Sequence, residues 1–325
     1  MALQALLYCA DGSDRQSTEL DGLDRSALTE RQLLWLDLCA AQPGELAQVA
    51  AWLGCEPRLL SLQEDRRARP TLATFENLFR ITAASVRLPE GRASLEQDQV
   101  TLLWGRNVVV TVHEKPLPFL EALREREDGE SGIGALSAES FLAGLLDRLL
   151  DSYFRVVEAL VHDIDRVEVA LLGRRSAPKF LGLLVAARKR LADLRRLLKA
   201  HRDVFYGMER PDFLATGQPE SRAYFEALDR RYERAEDEVD GARELVIGSF
   251  ELLSTRAAQG MNETMQTLTF VTVLMGLLAL VAGVMGMNFQ MPLFESGAMG
   301  FYSVVGAMAA LGVIGTVVAW RRGWI

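Results

Sequence analysis

A stretch without any charged side chain, Thr264–Phe294, constrains this chain more than any other feature of its sequence. About 20 helical residues cross the roughly 30 Å hydrocarbon core of a bilayer, because each residue advances a helix by about 1.5 Å. A second uncharged stretch, Ser296–Trp320, follows closely and ends at Arg321 and Arg322. The two stretches predict a membrane hairpin, with spans at about 267–287 and about 300–320 joined by an outer loop at 288–299.

The charges around the hairpin predict its orientation. Arg321 and Arg322 follow the second span, and basic residues at the ends of spans favour the cytoplasmic side. With two spans, both termini are then expected in the cytoplasm, which fits a start at Met1–Tyr8 that lacks the basic region of a signal peptide. The outer loop carries a single charge, Glu295. We therefore expect a two-span protein of the cell inner (plasma) membrane, in contact with lipid.

One face of the first span, here called the small-residue face, carries only small or hydroxyl-bearing residues above Leu268. They recur three or four positions apart, so they lie on the same side of a helix. Small residues allow membrane helices to approach closely, and the same face is also suited to line a narrow aqueous path between several copies. Both interpretations stay open from the pattern alone. The residues predicted on this face are Asn262, Met265, Leu268 or Thr269, Thr272, Gly276, Ala279, Gly283 and Gly286.

Residues 1–135 have the pattern of a cytoplasmic α/β domain. Short apolar runs between turn residues predict buried strands, and Gly105-Arg106-Asn107 predicts the turn of a hairpin. Pro43 and Gly54 mark the ends of a helix over Pro43–Leu53, and a second helix is predicted over Pro116–Arg126. The predicted strands are Leu3–Tyr8, Leu33–Leu38, Leu72–Phe75, Leu78–Val86, Val100–Trp104 and Val108–Val112.

Several functional classes find no support in the sequence. The net charge of −8 argues against a nucleic-acid-binding protein, which usually carries a basic excess. The sequence has no phosphate loop, nucleophile elbow or metal-ligand cluster, so neither an enzyme nor a bound cofactor is predicted. Asp37, His113 and Glu114 are interpreted as a strand-end acid and polar loop residues. The three cysteines, Cys9, Cys39 and Cys55, lack CxxC spacing. We interpret them as buried thiols in a reducing compartment rather than as a zinc site with His113.

Residues 136–263 have the pattern of a stalk of long helices, after a linker at Glu127–Gly134. Ser137–Leu172 is rich in acids, Lys179–Phe205 is rich in basic residues, and a third helix starts near Pro219 and continues into the first span. The basic helix is suited to bind anionic lipid or nucleic acid, but neutralisation by its acidic neighbours is the favoured interpretation. Acids in the first half of the third helix are suited to concentrate cations near a cytoplasmic opening, to pair with the basic helix, or to do both, because only some of them face either direction.

The end of the first span, Gly286-Met287-Asn288, resembles the signature of the CorA family of divalent-cation transporters. The resemblance extends over Asn262–Thr269, Ala282–Phe289 and the tail Arg321–Trp324. It implies a homopentamer in which the first span lines the pore, the second faces lipid and the long helices form a funnel below the membrane. It also implies a selectivity mouth at Gly286, Met287 and Asn288, cation attraction by Glu295, and pore-lining positions at Asn262, Met265, Leu268, Thr272, Gly276, Ala279 and Gly283.

The predicted fold is thus an α+β membrane protein with an N-terminal cytoplasmic α/β domain, a long helical stalk and two C-terminal transmembrane helices. The predicted boundaries are 1–135, 136–263 and 264–325. The predicted partners are divalent cations, membrane lipid and further copies of the chain.

The transported ion is inferred from the selectivity mouth and from positions where this sequence differs from the magnesium transporters of the family. Mg²⁺ sheds water reluctantly, so a ring of Asn288 amides is expected to hold a hydrated ion through its waters. Gly276 stands where a Met is usual, Ala279 where a Thr is usual, and Ala227 where magnesium members carry a sensing carboxylate. The segment after Pro292 resembles the ZntB branch of the family. Zn²⁺ is therefore the expected ion, with a CorA-type Mg²⁺/Co²⁺ channel as the alternative.

A membrane-anchored sensor or scaffold is the remaining alternative, because a hairpin also tethers a domain to a membrane. A simple anchor does not require a small-residue face that ends in Gly286-Met287-Asn288, which argues against it. The sequence leaves open whether transport is passive or coupled to protons, and in which direction it runs.

Overall fold

The computed structural model describes residues 3–20, 22–23, 25–62, 69–75, 78–89, 94–125, 132–172, 177–210, 213, 221–287 and 297–322. The chain divides into two compact units, Met1–Ser249 and Phe250–Ile325. Asn288 and Glu295 lie outside the described residues, as do most of the predicted linker and the predicted helix start at Pro219.

The first unit contains a mixed sheet of β1 (Leu3–Cys9), β2 (Arg15–Ser17), β3 (Gln32–Cys39), β4 (Thr71–Phe75), β5 (Leu78–Arg87), β6 (Glu96–Gly105) and β7 (Val108–His113). Its seven strands have the order β2-β1-β3-β7-β6-β5-β4, and only β3 and β7 run parallel among these pairs. Every predicted strand is present, although β6 begins before Val100. The sequence pattern missed β2, because it is short and all its residues are exposed.

Helices cover both faces of this sheet. Alternate residues of a strand point to opposite faces. Leu34 and Leu36 of β3 belong to the core that includes α1 (Pro43–Leu53). Trp35, between them, contacts Phe141 of α3 (Ala138–Leu172) on the other face, with ring centroids 5.5 Å apart. The α/β layering predicted for this part of the chain is therefore confirmed.

Two tight connections depend on backbone geometry. The β6–β7 hairpin turns at Arg106 and Asn107, and Asn107 adopts a left-handed conformation (φ 59°) that asparagine tolerates better than most residues. After α2 (Pro118–Glu125), part of the predicted linker forms a 3-10 turn, Gly132–Ala135. A β-carbon on Gly134 would lie 2.3 Å from the carbonyl carbon of Cys9, so only glycine allows this turn to lie against β1.

Side chains from the helices complete one edge of the sheet. Pairing of β4 with β5 extends only to Thr82, opposite Thr71. Beyond it, the Ala84 N–H donates to Nε2 of His201 at 2.9 Å, and Tyr153 Oη donates to the Ala84 carbonyl at 2.9 Å. Tyr153 belongs to α3, and His201 lies between α4 (Ala177–Ala200) and α5 (Arg202–Met208). These bonds satisfy buried backbone groups that would otherwise require another strand.

The long helices carry ion pairs between them. Helix α6 (Ser221–Met285) is continuous over 65 residues, as predicted for the third helix. Its Arg231 pairs with Asp147 of α3 at 2.8 Å and also with Asp151. Its Asp240 pairs with Arg195 of α4 at 2.6 Å. The Arg195–Asp240 pair joins the basic helix to an acidic neighbour, as the favoured interpretation expects. Arg231, in contrast, connects the two acid-rich helices.

The second unit holds the C-terminal part of α6 and helix α7 (Ala298–Arg321). Both helices are long and apolar enough to cross a membrane. Residues 264–285 of α6 and 298–320 of α7 belong to the two uncharged stretches of the sequence.

Candidate functional site

The two apolar helices meet along one line of side chains, here called the hairpin contact. A β-carbon on Gly315 of α7 would lie 3.2 Å from Cδ1 of Leu274 on α6, so the helices approach closely there. The partly covered residues of α6 recur at helical spacing on this side: Thr267, Phe270, Leu274, Leu278, Val281 and Met285. On α7, Gly300 and Ala319 are buried, and the partly covered residues are Val304, Met308, Gly312 and Gly315.

The small-residue face lies on the opposite side of α6. Each residue turns a helix by about 100°, so Met265, Thr272, Gly276 and Gly283 lie about 160–200° around the axis from Leu274. These residues are exposed in the single chain. A β-carbon built on Gly276 or Gly283 would have no described neighbour within 4 Å. The hairpin therefore uses the bulky side of the first span and leaves the small-residue face without a partner among the described residues.

Helix α6 ends where the predicted selectivity mouth begins. The Gly286 N–H donates to the carbonyls of Ala282 at 3.0 Å and Gly283 at 3.2 Å. The Met287 N–H donates to Val284 at 3.3 Å, and the Met287 side chain is half-exposed. The last carbonyls of a helix lack helical partners and are free to contact water or a hydrated ion. Asn288 and Glu295 follow outside the described residues, so their roles stay predictions.

Asp37 and His113 form a buried network rather than an open reactive site. Both side chains are 1% exposed, and His113 Nε2 lies 2.9 Å from Asp37 Oδ1. The Thr111 hydroxyl donates to the same carboxylate oxygen at 2.5 Å, and Arg124 lies 3.4 Å from the other one. His113 Nδ1 contacts the Lys115 carbonyl at 2.6 Å. Neighbouring strands and α2 thus occupy the polar atoms of this pair. The interpretation of His113 as a polar loop residue was wrong, because it ends β7 and is buried.

The three cysteines of the first unit do not form a metal-binding group with other described residues. Cys9 is buried, whereas Cys39 and Cys55 are only partly covered. Burial raises the pKa of the Cys39 and Cys55 thiols, which keeps them protonated and poor as ligands. Among the described residues, no group of three or more His, Cys, Asp and Glu side chains is placed to hold a metal ion.

The acids near the start of α6 are partly engaged within the chain. Glu226 accepts a bond from Arg222 at 2.8 Å, and Ala227 is exposed beside it. Burial, followed by the charge of Glu233, raises the pKa of Asp229. The closeness of two carboxylates agrees with the high acid density noted in the sequence, but a role in concentrating cations stays a prediction.

The family model for CorA-like Mg²⁺ transporter proteins matches residues 30–321. The chain belongs to the CorA family. The cobalt/magnesium transport protein CorA of Thermotoga maritima is 25% identical over 293 residues, which cover 90% of this chain and 83% of that protein. The zinc transport protein ZntB of Photorhabdus laumondii is 25% identical over 183 residues, which cover 56% of this chain and 54% of that protein. The complete structure of the CorA magnesium transporter from Methanocaldococcus jannaschii matches with a TM-score of 0.72 and 22% identity, over 100% of this chain and 99% of that one.

The match to the family model confirms the family that the sequence indicated, and the match to a full-length CorA structure confirms the predicted fold class. The chain is accordingly a membrane transporter of divalent cations. Sequence reasoning did not identify the hairpin contact, although a signal for it existed. Phe270, Leu274 and Leu278 recur at helical spacing, and Gly312 and Gly315 mark one side of the second span.

Proposed function

We propose that several copies of this chain carry a hydrated divalent cation through a pore lined by the small-residue face of α6. The observation that carries the proposal is the position of the hairpin contact. Because α7 covers the side of Leu274, the face with Thr272, Gly276 and Gly283 is left for something other than the second span. One helix cannot enclose a path, so this face is completed by the same face of other copies.

Family resemblance supplies the arrangement of those copies. We propose a homopentamer in the inner membrane, with the first span inside and the second toward lipid. Residues 1–135 and the stalk 136–263 then lie in the cytoplasm, and the hairpin 264–325 lies in the membrane. Arg321 and Arg322 after α7 support this orientation, because basic residues favour the cytoplasmic side. The pore-lining residues of each copy are Asn262, Met265, Leu268, Thr272, Gly276, Ala279 and Gly283.

The selectivity mouth is proposed at the end of α6. Gly286 and Met287 end the helix, and Asn288 follows directly. Neutral amide and carbonyl oxygens bind the waters of a hydrated cation without removing them, which permits both entry and release. Glu295, the single charge of the outer loop, attracts cations toward this mouth.

Mg²⁺ or Co²⁺ is the first candidate for the ion. A relative named for cobalt and magnesium transport covers 90% of the chain, whereas the zinc transport relative covers 56%. The proposed path also offers oxygen and apolar groups, which suit a hydrated hard cation better than a metal that prefers nitrogen and sulfur. Zn²⁺ remains the second candidate, supported by Ala227 at the position of a sensing carboxylate and by the ZntB-like segment after Pro292.

The test is uptake of Mg²⁺, Co²⁺ and Zn²⁺, each alone, into liposomes that contain the purified full chain, with and without a pH gradient. Asn288→Ala is expected to reduce uptake of the transported ion at least about tenfold while the oligomer stays intact. One tenfold change corresponds to about 1.4 kcal/mol, the size of one hydrogen bond to a charged group.

Gln266→Ala is the matched control, because it removes an amide from α6 at a position outside the small-residue face and should leave uptake unchanged. An assembled Asn288→Ala variant with wild-type uptake would contradict the proposed mouth. A wild-type chain that transports none of the three ions would favour the sensor or scaffold instead.

A further inference from the structure

A half-open cavity of about 350 Å³ lies between the end of β5, the start of α2 and the middle of α3. Its floor is apolar, because Val86, Phe119 and Val156 line it and are buried. Ala159 of α3 and Leu88, which follows β5, continue the apolar wall. Cavities of this size with mostly apolar walls are typical of sites for small organic molecules. All of these residues belong to the first unit, and none belongs to the proposed pore.

Most polar side chains that line the cavity are engaged within the chain. The Ser152 hydroxyl accepts a backbone N–H of β5 at 3.1 Å and donates to a carbonyl of its own helix at 2.6 Å. Arg87 pairs with the buried Asp98 at 2.6 Å and lies 3.9 Å from Glu96. The charge of Arg87 is therefore largely compensated without a ligand.

Arg155 of α3 is different, because no carboxylate among the described residues pairs with its guanidinium. Its Nε donates to the Asp151 carbonyl at 3.3 Å, while the Asp151 carboxylate pairs with Arg231. The terminal nitrogens of Arg155 remain for a ligand, and a guanidinium presents its N–H groups in a planar fork that matches the two oxygens of a carboxylate. An exposed arginine is ordinarily solvated, but this one lines an apolar cavity. An anion with an apolar body is therefore able to use both features at once.

We propose that this cavity binds a small organic monocarboxylate, with its apolar body on the floor and its carboxylate against Arg155. Glu96 lines the same cavity, so a ligand with a second negative charge is disfavoured. A neutral ligand of the same shape gains the apolar contacts but lacks the pair with Arg155. The cavity thus selects by charge as well as by shape.

The test is isothermal titration calorimetry of the purified full chain in detergent, with phenylbutyrate as the probe. We expect saturable binding. Phenylbutanamide, which has the same body and no charge, should bind about fivefold to tenfold more weakly, as for the loss of a partly exposed ion pair. Arg155→Gln should weaken phenylbutyrate binding by the same factor and leave phenylbutanamide binding unchanged. Phenylpropyl phosphate, a dianion, should bind more weakly than phenylbutyrate.

Ala159→Phe and Arg188→Gln are the control variants. Ala159 is exposed and lines the cavity, so a phenyl ring there should fill the cavity and abolish binding of both phenylbutyrate and phenylbutanamide. Arg188 is an exposed arginine of α4 that does not line the cavity, so Arg188→Gln should keep wild-type affinity. Size-exclusion chromatography checks that each variant assembles, and partition of the ligands into detergent is common to all variants.

Wild-type affinity for phenylbutyrate in Arg155→Gln or Ala159→Phe would overturn the proposal. Equal affinity of the wild type for phenylbutyrate and phenylbutanamide, or tighter binding of phenylpropyl phosphate, would overturn it as well. An equal loss in Arg188→Gln would reveal general attraction by surface charge and refute the assignment to Arg155. No saturable binding by the wild type up to about 10 mM, where a site with a Kd of about 1 mM is mostly filled, would also refute it.

Discussion

Replacing His201 with glutamine is expected to flatten the pH dependence of stability in the first unit. His201 is 1% exposed; its Nε2 accepts the Ala84 N–H, and its Nδ1 contacts the Leu197 carbonyl, each at 2.9 Å. A backbone N–H only donates, so Nε2 carries no hydrogen in the folded chain. Burial lowers the pKa of His201 from 6.5 to about 4, although the bond to Leu197 acts in the opposite direction.

The size and sign of the effect follow from proton linkage. Below about pH 6.5 the unfolded chain binds a proton at His201, whereas the folded chain does so only near about pH 4. The contribution of neutral His201 to the free energy of unfolding is therefore complete above about pH 6.5 and is lost as the pH falls toward about 4. Lowering the pKa of His201 from 6.5 to about 4 corresponds to roughly 3 kcal/mol of unfolding free energy, which is lost at up to about 1.4 kcal/mol per pH unit as the pH falls.

Urea unfolding of the purified full chain, followed by fluorescence of the buried Trp35 and Trp104, measures this dependence at a series of pH values. Carboxylates contribute equally to the wild type and to His201→Gln. The difference between the two slopes of unfolding free energy against pH therefore isolates His201. The slope for His201→Gln should be smaller than that of the wild type by up to about 1.4 kcal/mol per pH unit. His162→Gln, at an exposed site of α3, should keep the wild-type slope. Equal slopes for His201→Gln and the wild type would refute the assignment of a buried neutral histidine.

Two other predictions concern regulation and the hairpin. Mg²⁺ at about 1–10 mM should leave limited proteolysis of the purified oligomer the same as in EDTA, because the Ala227 side chain has no ligand atom and Glu226 already binds Arg222 at 2.8 Å. Strong protection by Mg²⁺ would reveal a regulatory Mg²⁺ site and contradict this reasoning. Gly315→Leu should reduce the yield of intact oligomer on size-exclusion chromatography, because even a β-carbon there lies 3.2 Å from Leu274. Gly306→Leu, with open space at its site, should assemble normally, and equal yields for the two variants would argue against a close hairpin contact.

The sequence predicted the elements that depend on local pattern. Uncharged runs identified both apolar helices, and alternation of apolar residues with turn signals identified most strands. The signature Gly286-Met287-Asn288 identified the family that the match over residues 30–321 confirmed. Zn²⁺ as the ion stays a prediction, because relatives named for cobalt and magnesium transport and for zinc transport both match the chain at 25% identity.

Contacts between residues far apart in the sequence were not predicted from local sequence patterns. The role of His201 was not predicted, since its partner Ala84 is distant in sequence and lies on a strand edge that β4 leaves unpaired. The sequence favoured neutralisation of the basic helix by its acidic neighbours, but it did not identify Arg195 and Asp240 as a pair. Each depends on which elements become neighbours in space.

The first span shows this division most clearly. The sequence by itself determined that α6 has a bulky side and a small-residue face, because side-chain spacing along a helix is a local property. Only the tertiary structure decided which side meets α7, through the approach of Gly315 to Leu274. Both sides are able to contact another helix, so the choice depends on how well two surfaces far apart in the chain fit each other.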